Sequence, residues 1–215
     1  DMARLMAGEK ADMVFTDPPY GINLDTDWSG MRGSRKIRKK IRHDLKGHKY
    51  IPIIGDNIPF NFRAVALPDC EEQFWFGADY YHHQLPEGGT WLIWDKRLTV
   101  DMDRVLGSPF ETIWSKVKHR KEIIRMVWAG VSGFQEDVTT RISPTQKPLK
   151  LLLWIMDKYG KITEIILDPF GGSGSTLIAC EKLGRKCRMM EIDEHYCDVI
   201  IQRWQNFTGQ QAVKL

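Results

Sequence analysis

The fold is decided by a stretch late in the chain, IILDPFGGSGST at residues 165–176. An apolar strand leads into a turn with three glycines, and the apolar residues that follow predict a helix over 177–184. Glycine lets the backbone approach a ligand closely, and a helix N-terminus favours polar or anionic groups. The glycines do not follow the GxGxxG pattern and no GK[ST] comes after them, which argues against a P-loop. The stretch by itself indicates an adenosine-containing cofactor, or else a purely structural turn.

A second strand is predicted directly after that helix. The residues CRMM at 187–190 are predicted to form this strand, which ends in Glu191, Ile192 and Asp193. In doubly wound folds, an acidic residue at the end of this strand binds the ribose hydroxyls of the cofactor. Glu191 is therefore the predicted ribose ligand.

Near the other end of the chain, the stretch MVFTDPPY at residues 13–20 predicts a short buried strand that runs into a rigid turn. Pro18 keeps Asp17 out of the helical region, and each proline fixes its own φ and lacks an N–H donor. The turn offers the Asp17 carboxylate, a free backbone carbonyl and the Tyr20 ring. These groups can hold a flat ring and accept both hydrogens of its exocyclic amine. The alternative is an ordinary Pro-Pro turn with a surface aspartate and a packed tyrosine.

Together the two stretches resemble the amino-methyltransferases of DNA. DPPY at 17–20 matches their catalytic motif and DPFGGSG at 168–174 matches their cofactor motif. SPTQKP at 143–148 looks like the HPTQKP segment of the family, with Ser143 where histidine is usual. Residues 76–96 are similar to a stretch of phage and prophage adenine methyltransferases. The catalytic motif comes first and the cofactor motif last, which is the order of the β-type members.

The resemblance implies S-adenosylmethionine as cofactor and an amino group of a DNA base as methyl acceptor. The implied catalytic residues are Asp17, Pro18, Pro19 and Tyr20: Asp17 and the Pro18 carbonyl accept the two amine hydrogens, and Tyr20 stacks on a flipped base. The implied cofactor contacts are the backbone of Phe170, Gly171, Gly172, Ser173 and Gly174, the Glu191 carboxylate, and as further candidates Ser175, Thr176 and Lys147. Asp168 either contacts the amino group of the cofactor or only shapes the turn. Neither a metal nor a covalent enzyme intermediate is required.

Three functions remain open at this point. Adenine-N6 methylation leads, because family members with Asp before Pro-Pro-Tyr are mostly adenine enzymes. Cytosine-N4 enzymes more often carry serine there, but the two amines are chemically alike. The third alternative is a catalytically idle protein that binds S-adenosylmethionine and DNA. The intact motif at 17–20 argues against it, since an idle protein has no need of that carboxylate.

A basic run follows the catalytic motif. Between positions 32 and 49 there are nine lysines and arginines, and Asp44 is the single opposing acid. We predict a mobile insertion that clamps the DNA backbone through Arg32, Arg35, Lys36, Arg38, Lys39, Lys40 and Arg42, and that orders on binding. The alternative is an ordinary solvated surface segment.

The remaining pattern predicts one α/β domain over residues 1–215, a Rossmann-like doubly wound sheet that is mostly parallel with one antiparallel strand near the end. Strands are expected at 90–96, and at 110–114 and 123–128 as an antiparallel pair. Pro148 should open a helix over 149–159, whose buried stripe is Leu151, Leu152, Ile155 and Met156. A last helix at about 194–206 should bury Tyr196, Val199, Ile200 and Trp204. The strands ending at Asp17 and Asp168 should be central neighbours. Residues 132–147 hold the place of a short target-recognition segment. The resemblance also implies an edge strand upstream of position 1.

Composition sets the expected surroundings. The net charge is only +3, so the charge distribution argues for nucleic acid more than the total does. The four cysteines show no metal-ligand spacing and are expected to be reduced. No apolar run approaches a membrane span and no signal peptide is visible. We expect a cytoplasmic protein of bacterial or phage origin that binds DNA, with a homodimer as an open alternative.

Overall fold

The computed structural model of the chain describes residues 1–29, 49–65, 67, 69–97, 107–126, 142–160 and 164–214. The predicted basic run, apart from Lys49, lies outside the described residues, and so does most of the predicted target-recognition segment. Lys49 forms an ion pair with Asp27 at 3.4 Å, and both side chains are largely exposed. The predicted DNA clamp therefore stays a prediction.

Within the described part of the chain, seven strands form one sheet. They are β1 (Met13–Thr16), β2 (Glu72–Phe76), β3 (Thr90–Asp95), β4 (Phe110–Ser115), β5 (Ile123–Arg125), β6 (Ile165–Asp168) and β7 (Lys186–Met189). Their order across the sheet is β5-β3-β4-β2-β1-β6-β7. The described helices are α1 (Met2–Met6), α2 (Leu149–Tyr159), α3 (Ser175–Leu183) and α4 (Glu194–Thr208), with short 3-10 helices at Phe62–Ala64 and Ala78–Gln84. The prediction of an α/β methyltransferase-type fold is confirmed.

Strand β1 lies near the middle of the sheet and is parallel to both of its neighbours. Met13 lies opposite Glu72 of β2 on one side and opposite Ile166 of β6 on the other. The chain leaves β1 toward β2 and later fills the other side through β6 and β7, so the switch point lies between β1 and β6. Ligands of open α/β sheets bind beyond the carboxyl ends of the strands at this point. The prediction that these two strands are central neighbours is confirmed.

Strand β4 is antiparallel to both β2 and β3. Strand β5 pairs with β3 and not with β4, so the prediction that residues 110–114 and 123–128 form an antiparallel pair was wrong, although the two strands do run in opposite directions. The two strands do not touch, because β3 lies between them. Because β4 runs opposite to its neighbours, its start lies at the same sheet edge as the ends of β1 and β3.

The core packs on both faces of the sheet, as parallel strands require. Alternate residues of β1 point to opposite sides: Met13 and Phe15 join the layer formed with α2 and α3, and Val14 joins the layer with α1 and the 3-10 helices. Helix α2 has the predicted bounds, and its predicted buried stripe is confirmed. The large aromatic side chains Trp75, Trp94 and Trp114 are fully buried, as expected for core residues.

Helix α4 buries less than its pattern predicted. Tyr196 is buried, whereas Val199, Ile200 and Trp204 remain partly exposed. The helix lies on α3 and the glycine-rich turn through a narrow stripe, and Trp204 donates a hydrogen bond to Glu181 at 2.8 Å. No further described layer covers its outer side. Across the described ranges, no helix is long and apolar enough to cross a membrane.

Candidate active site

The two motifs that the sequence singled out meet at the carboxyl ends of β1 and β6. Asp17 is the first residue after β1 and Asp168 is the last residue of β6. The Thr16 hydroxyl donates a hydrogen bond of 2.7 Å to Asp168 Oδ1, which ties the two strand ends together. Residues 152 positions apart thus form one buried junction at the switch point.

A cavity of about 430 Å³, part of which is open to solvent, lies at this junction. Most predicted site residues line it: Asp17, Lys147, Asp168, Phe170, Gly171, Gly172, Ser173, Ser175 and Thr176. The other predicted catalytic and cofactor residues do not line it: Pro18, Pro19, Tyr20, Gly174 and Glu191. The structure brings the predicted catalytic carboxylate and the predicted cofactor turn to the wall of one cavity.

The glycine-rich turn is shaped by left-handed backbone at two positions. Gly172 has φ of 52° and Gly174 has φ of 78°, a region that residues with a Cβ rarely adopt. A Cβ built on Gly172 would meet no atom within 4 Å, so this backbone faces open space. Gly174 is the N-cap of α3, whose first turn begins at the cavity wall. The turn therefore offers bare backbone and a helix start to a ligand.

Glu191 fixes the glycine-rich turn from behind. Its carboxylate accepts a hydrogen bond from the Gly172 amide at 2.6 Å and from the amides of Ile192 and Asp193 at 2.9 Å each. It joins the end of β7 to the turn, and its side chain is not part of the cavity wall. Its predicted contact with ribose stays a prediction.

Asp168 is only 2 % exposed and does shape the turn. Besides the bond from Thr16, its Oδ1 accepts a hydrogen bond from the Phe170 amide at 3.1 Å. Burial raises the pKa of this carboxyl to about 7, and the hydrogen bonds from Thr176, Thr16 and Phe170 only partly oppose that rise. A carboxyl with this pKa is ready to ionise when a cation approaches, and it also lines the cavity.

Both oxygens of Asp17 are engaged. The Tyr20 hydroxyl donates to Oδ1 at 2.5 Å, and the Lys147 ammonium bonds to Oδ2. Burial raises the pKa of Asp17, the nearby Glu111 carboxylate adds to the rise, and Lys147 opposes it. The resemblance implied Lys147 as a cofactor candidate, which stays a prediction; in the structure its ammonium lies against the Asp17 carboxylate. Its side chain still lines the cavity and is 10 % exposed.

The Tyr20 ring packs against Tyr80 and Gly77. It stacks on Tyr80 with ring centres 5.0 Å apart and planes 13° apart. A Cβ on Gly77 would come within 2.1 Å of the Tyr20 ring, so the ring packs directly against the backbone of this glycine. Stacking of Tyr20 on a target base stays a prediction.

Two acidic residues of this region were missed by the sequence reasoning. Asp56, 4 % exposed, accepts hydrogen bonds from the amides of Gly21 at 2.9 Å and Leu24 at 2.8 Å, and so holds the loop after the catalytic motif. Glu111 lies on β4 next to Tyr20 and Lys147. A signal for Glu111 existed: it shares one strand face with Ile113, a core position, and a carboxylate there has to be paired.

The comparisons with known proteins identify the family. A family model described as DNA methylase, the N6_N4_Mtase family, matches residues 69–203. This chain belongs to the N6/N4 family of DNA methylases. The resemblance predicted from the three motifs is thereby confirmed.

Two curated relatives agree with this membership. A methylase named YubD from Escherichia coli is 39% identical over 201 residues, covering 91% of this chain and 84% of that protein. The Type II methyltransferase M.HinfI of Haemophilus influenzae is 31% identical over 233 residues, covering 93% of this chain. The alignment spans 64% of the length of M.HinfI.

Among solved structures, similarity extends to the fold. The structure of M1.HpyAVI in complex with SAM matches with a TM-score of 0.50 and 18% identity, covering 93% of this chain and 91% of that one. The cytosine-N4-specific PvuII DNA methyltransferase matches with a TM-score of 0.54 and 13% identity, covering 91% of this chain and 80% of that one. Both sequence identities are low, so the two likenesses support the sheet architecture and leave the target base open.

Proposed function

We propose that this DNA methylase transfers a methyl group from S-adenosylmethionine to the N6 amine of adenine. The observation that carries the proposal is the position of Asp17. Its carboxylate, with a pKa raised by burial, lies on the wall of the same cavity as the glycine-rich turn. A hydrogen-bond acceptor for an amine and a backbone cradle for a cofactor thus share one space.

The residues of the cavity fit S-adenosylmethionine. Backbone at Gly172 faces open space in which a Cβ would meet nothing, so a ligand can lie against it. Asp168 offers a buried carboxyl to the ammonium of the methionine part, and Phe170 offers an apolar wall. Glu191 would reach the ribose with the lone pairs that its three backbone hydrogen bonds leave free. When bound, the cofactor supplies a methyl group on a positively charged sulfur.

The protein's task is to make a poor nucleophile attack. The lone pair of the adenine amine is delocalised into the ring, so the nitrogen is nearly flat. Asp17 and the Pro18 carbonyl would accept its two hydrogens and draw the nitrogen toward a tetrahedral shape. Asp17 would also be the first acceptor of the proton that the amine loses, and its raised pKa suits that role. Positioning and fixed charges then provide most of the rate enhancement.

Adenine is favoured over cytosine because aspartate precedes Pro-Pro-Tyr in this chain. Transfer of a tritiated methyl group to duplex DNA, followed by nucleoside analysis, tests both levels of the proposal. Label in N6-methyl-2′-deoxyadenosine is the expected result. Label in N4-methylcytosine would correct the base but keep the reaction class, whereas absence of transfer to every tested DNA would leave a binding protein.

The DNA partner is proposed to be held by the basic run at 32–49. Replacing Lys36, Arg38, Lys39 and Lys40 by alanine should reduce the slope of log K against log salt concentration by roughly 2–4 units. The slope falls because fewer phosphates are contacted and fewer counterions are therefore released on binding. Sequence preference should hardly change, since phosphate contacts do not read bases.

A matched control removes the exposed charges of Lys118, Arg120 and Lys121, which follow the far end of β4 at the sheet edge opposite the cavity. This control should leave the salt slope as in the wild type. An unchanged slope in the quadruple variant would identify the basic run as an ordinary solvated surface.

A further inference from the structure

Glu111 belongs to none of the motifs, yet it lies at the centre of the charges around the catalytic carboxylate. It is the second residue of β4, and its side chain is 12 % exposed. Its Oε2 is 2.7 Å from the Lys96 ammonium and its Oε1 is 3.1 Å from the Lys147 ammonium. Two carboxylates, Asp17 and Glu111, thus face two ammonium groups in a largely buried cluster.

The hydroxyl of Tyr20 lies between the two carboxylates. It is 2.5 Å from Asp17 Oδ1 and 3.0 Å from Glu111 Oε1. Burial and the adjacent Asp17 carboxylate hold the pKa of Tyr20 well above its ordinary value, so the hydroxyl keeps its proton. A phenol has one hydrogen to donate, and the shorter distance assigns it to Asp17.

This arrangement occupies the carboxylate that the base amine needs. Tyr20 bonds to Oδ1 of Asp17 and Lys147 bonds to Oδ2. Glu111 Oε1, at 3.0 Å, is a second acceptor to which the Tyr20 hydroxyl can donate its hydrogen with almost no movement of the ring. Glu111 suits that place because it is charged: burial raises its pKa, but Lys147 and Lys96 together outweigh burial and bring it to about 2.

We propose that Glu111 is a positioning residue that takes over the hydrogen bond of the Tyr20 hydroxyl when the base amine reaches Asp17, which releases Asp17 Oδ1 as an acceptor. This inference rests on the proposed methyl transfer to a base amine. Glu111 touches neither base nor cofactor in this scheme and acts through Tyr20. The simpler alternative is that Glu111 only neutralises two buried lysines.

A double-mutant cycle separates the two roles. Glu111→Gln should lower kcat about tenfold, because a neutral amide is a weaker acceptor for the phenol than a carboxylate. On a Tyr20→Phe background there is no hydroxyl to transfer, so the same change should lower kcat less than about twofold. Effects that multiply independently would overturn the proposal, since a charge-neutralising residue would act alike in both backgrounds.

The acid limb of kcat/KM against pH gives a second readout that a loss of packing alone would not move. The charged or titratable groups facing Asp17 are Tyr20, Lys147, Glu111, Asp168 and Tyr81, and Lys96 lies beyond Glu111. Glu111 raises the pKa of Asp17 and the Tyr20 hydrogen bond lowers it. Glu111→Gln should therefore move the acid limb to lower pH, and Tyr20→Phe should move it to higher pH. Shifts in the same direction, or none, would contradict the scheme.

Two further variants keep the test decisive. Glu111→Gln combined with Lys96→Met restores charge balance and replaces the single variant if that one unfolds. Glu122→Gln removes the Lys158 ion pair away from the cavity and should leave kcat and the pH profile unchanged. Cofactor affinity should stay within about twofold in all of them, because neither Glu111 nor Glu122 lines the cavity. A wild-type protein that methylates no DNA would refute the proposed function, whereas an active wild type with an additive cycle would refute only the role of Glu111.

Discussion

The ends of β6 and β1, which together form the site, differ in the kind of group that they present to the cavity. At the end of β6, the cavity wall is mainly backbone: glycines in left-handed conformation, a helix start, and a glutamate that holds the turn from behind. At the end of β1, it is a cluster of paired charges around Asp17. A side chain added to the backbone wall would occupy the space of the ligand. The charge cluster, in contrast, is sensitive to the replacement of a single atom and to pH. Mutations at the two ends should therefore fail in different ways.

The largest effect is expected at the end of β1. Asp17→Ala should lower methyl transfer by at least about 3 kcal/mol, roughly a hundredfold or more, because a charge-assisted hydrogen bond to the reacting amine is lost. Cofactor affinity, measured by calorimetry, should stay within a few-fold. Undiminished turnover would remove Asp17 from the mechanism, and lost cofactor binding would mean that the two ends are not separable.

At the end of β6, Gly172→Val should abolish cofactor binding while the fold persists. The branched side chain would fill the open space beside Gly172 in which the ligand contacts the backbone. Gly184→Val is the matched control: Gly184 also has a left-handed φ, of 65°, and a Cβ there also meets nothing within 4 Å, but it lies at the other end of α3.

Both glycine variants carry a comparable backbone strain, of about 1–2 kcal/mol. Their melting temperatures should therefore fall together while their cofactor affinities diverge. Equal affinities in the two variants would place the cofactor away from the glycine-rich turn.

The smallest effect concerns pH at the junction of the two ends. If Asp168 pairs with the ammonium of the cofactor, it has to ionise, so affinity should rise roughly tenfold as pH increases from 6 to 8 across a pKa of about 7. Binding near pH 7 should release a proton, visible in calorimetry with buffers of different ionisation enthalpy. Asp168→Asn should remove the pH dependence. A flat profile in the wild type would restrict Asp168 to shaping the turn.

The same group sets a stability trend in the cofactor-free protein. The pKa of Asp168 in the fold lies above its ordinary value of 3.8. Its contribution to stability is therefore complete below that ordinary value and is lost as pH rises through about 7. The melting temperature should fall over this interval in the wild type and much less in Asp168→Asn.

Much of this site could be predicted from local sequence. Two short apolar runs ended by DPPY and DPFGGSG gave the strands, the turns and their meeting point, because strand ends and turns are determined by residues next to each other. The bounds of α2 followed from its apolar spacing and Pro148. The contacts of Glu191 and Lys147 did not follow in the same way: both residues lie at the predicted site, but their partners in the structure are Gly172 and Asp17.

What sequence alone determined about this protein is its family, its sheet type and the two motifs of its cavity, since each depends on residues close together in the chain. The tertiary structure alone decided which strand β5 pairs with, the exposure of α4 and the surroundings of Asp17. Glu111 lies 91 positions from Tyr20, and Lys147 lies 130 positions from Asp17, the loop residues that they contact. They reach these partners because the start of β4 and the segment before α2 lie at the same sheet edge. Which charge compensates a buried carboxylate depends on that packing, and packing is a property of the whole fold.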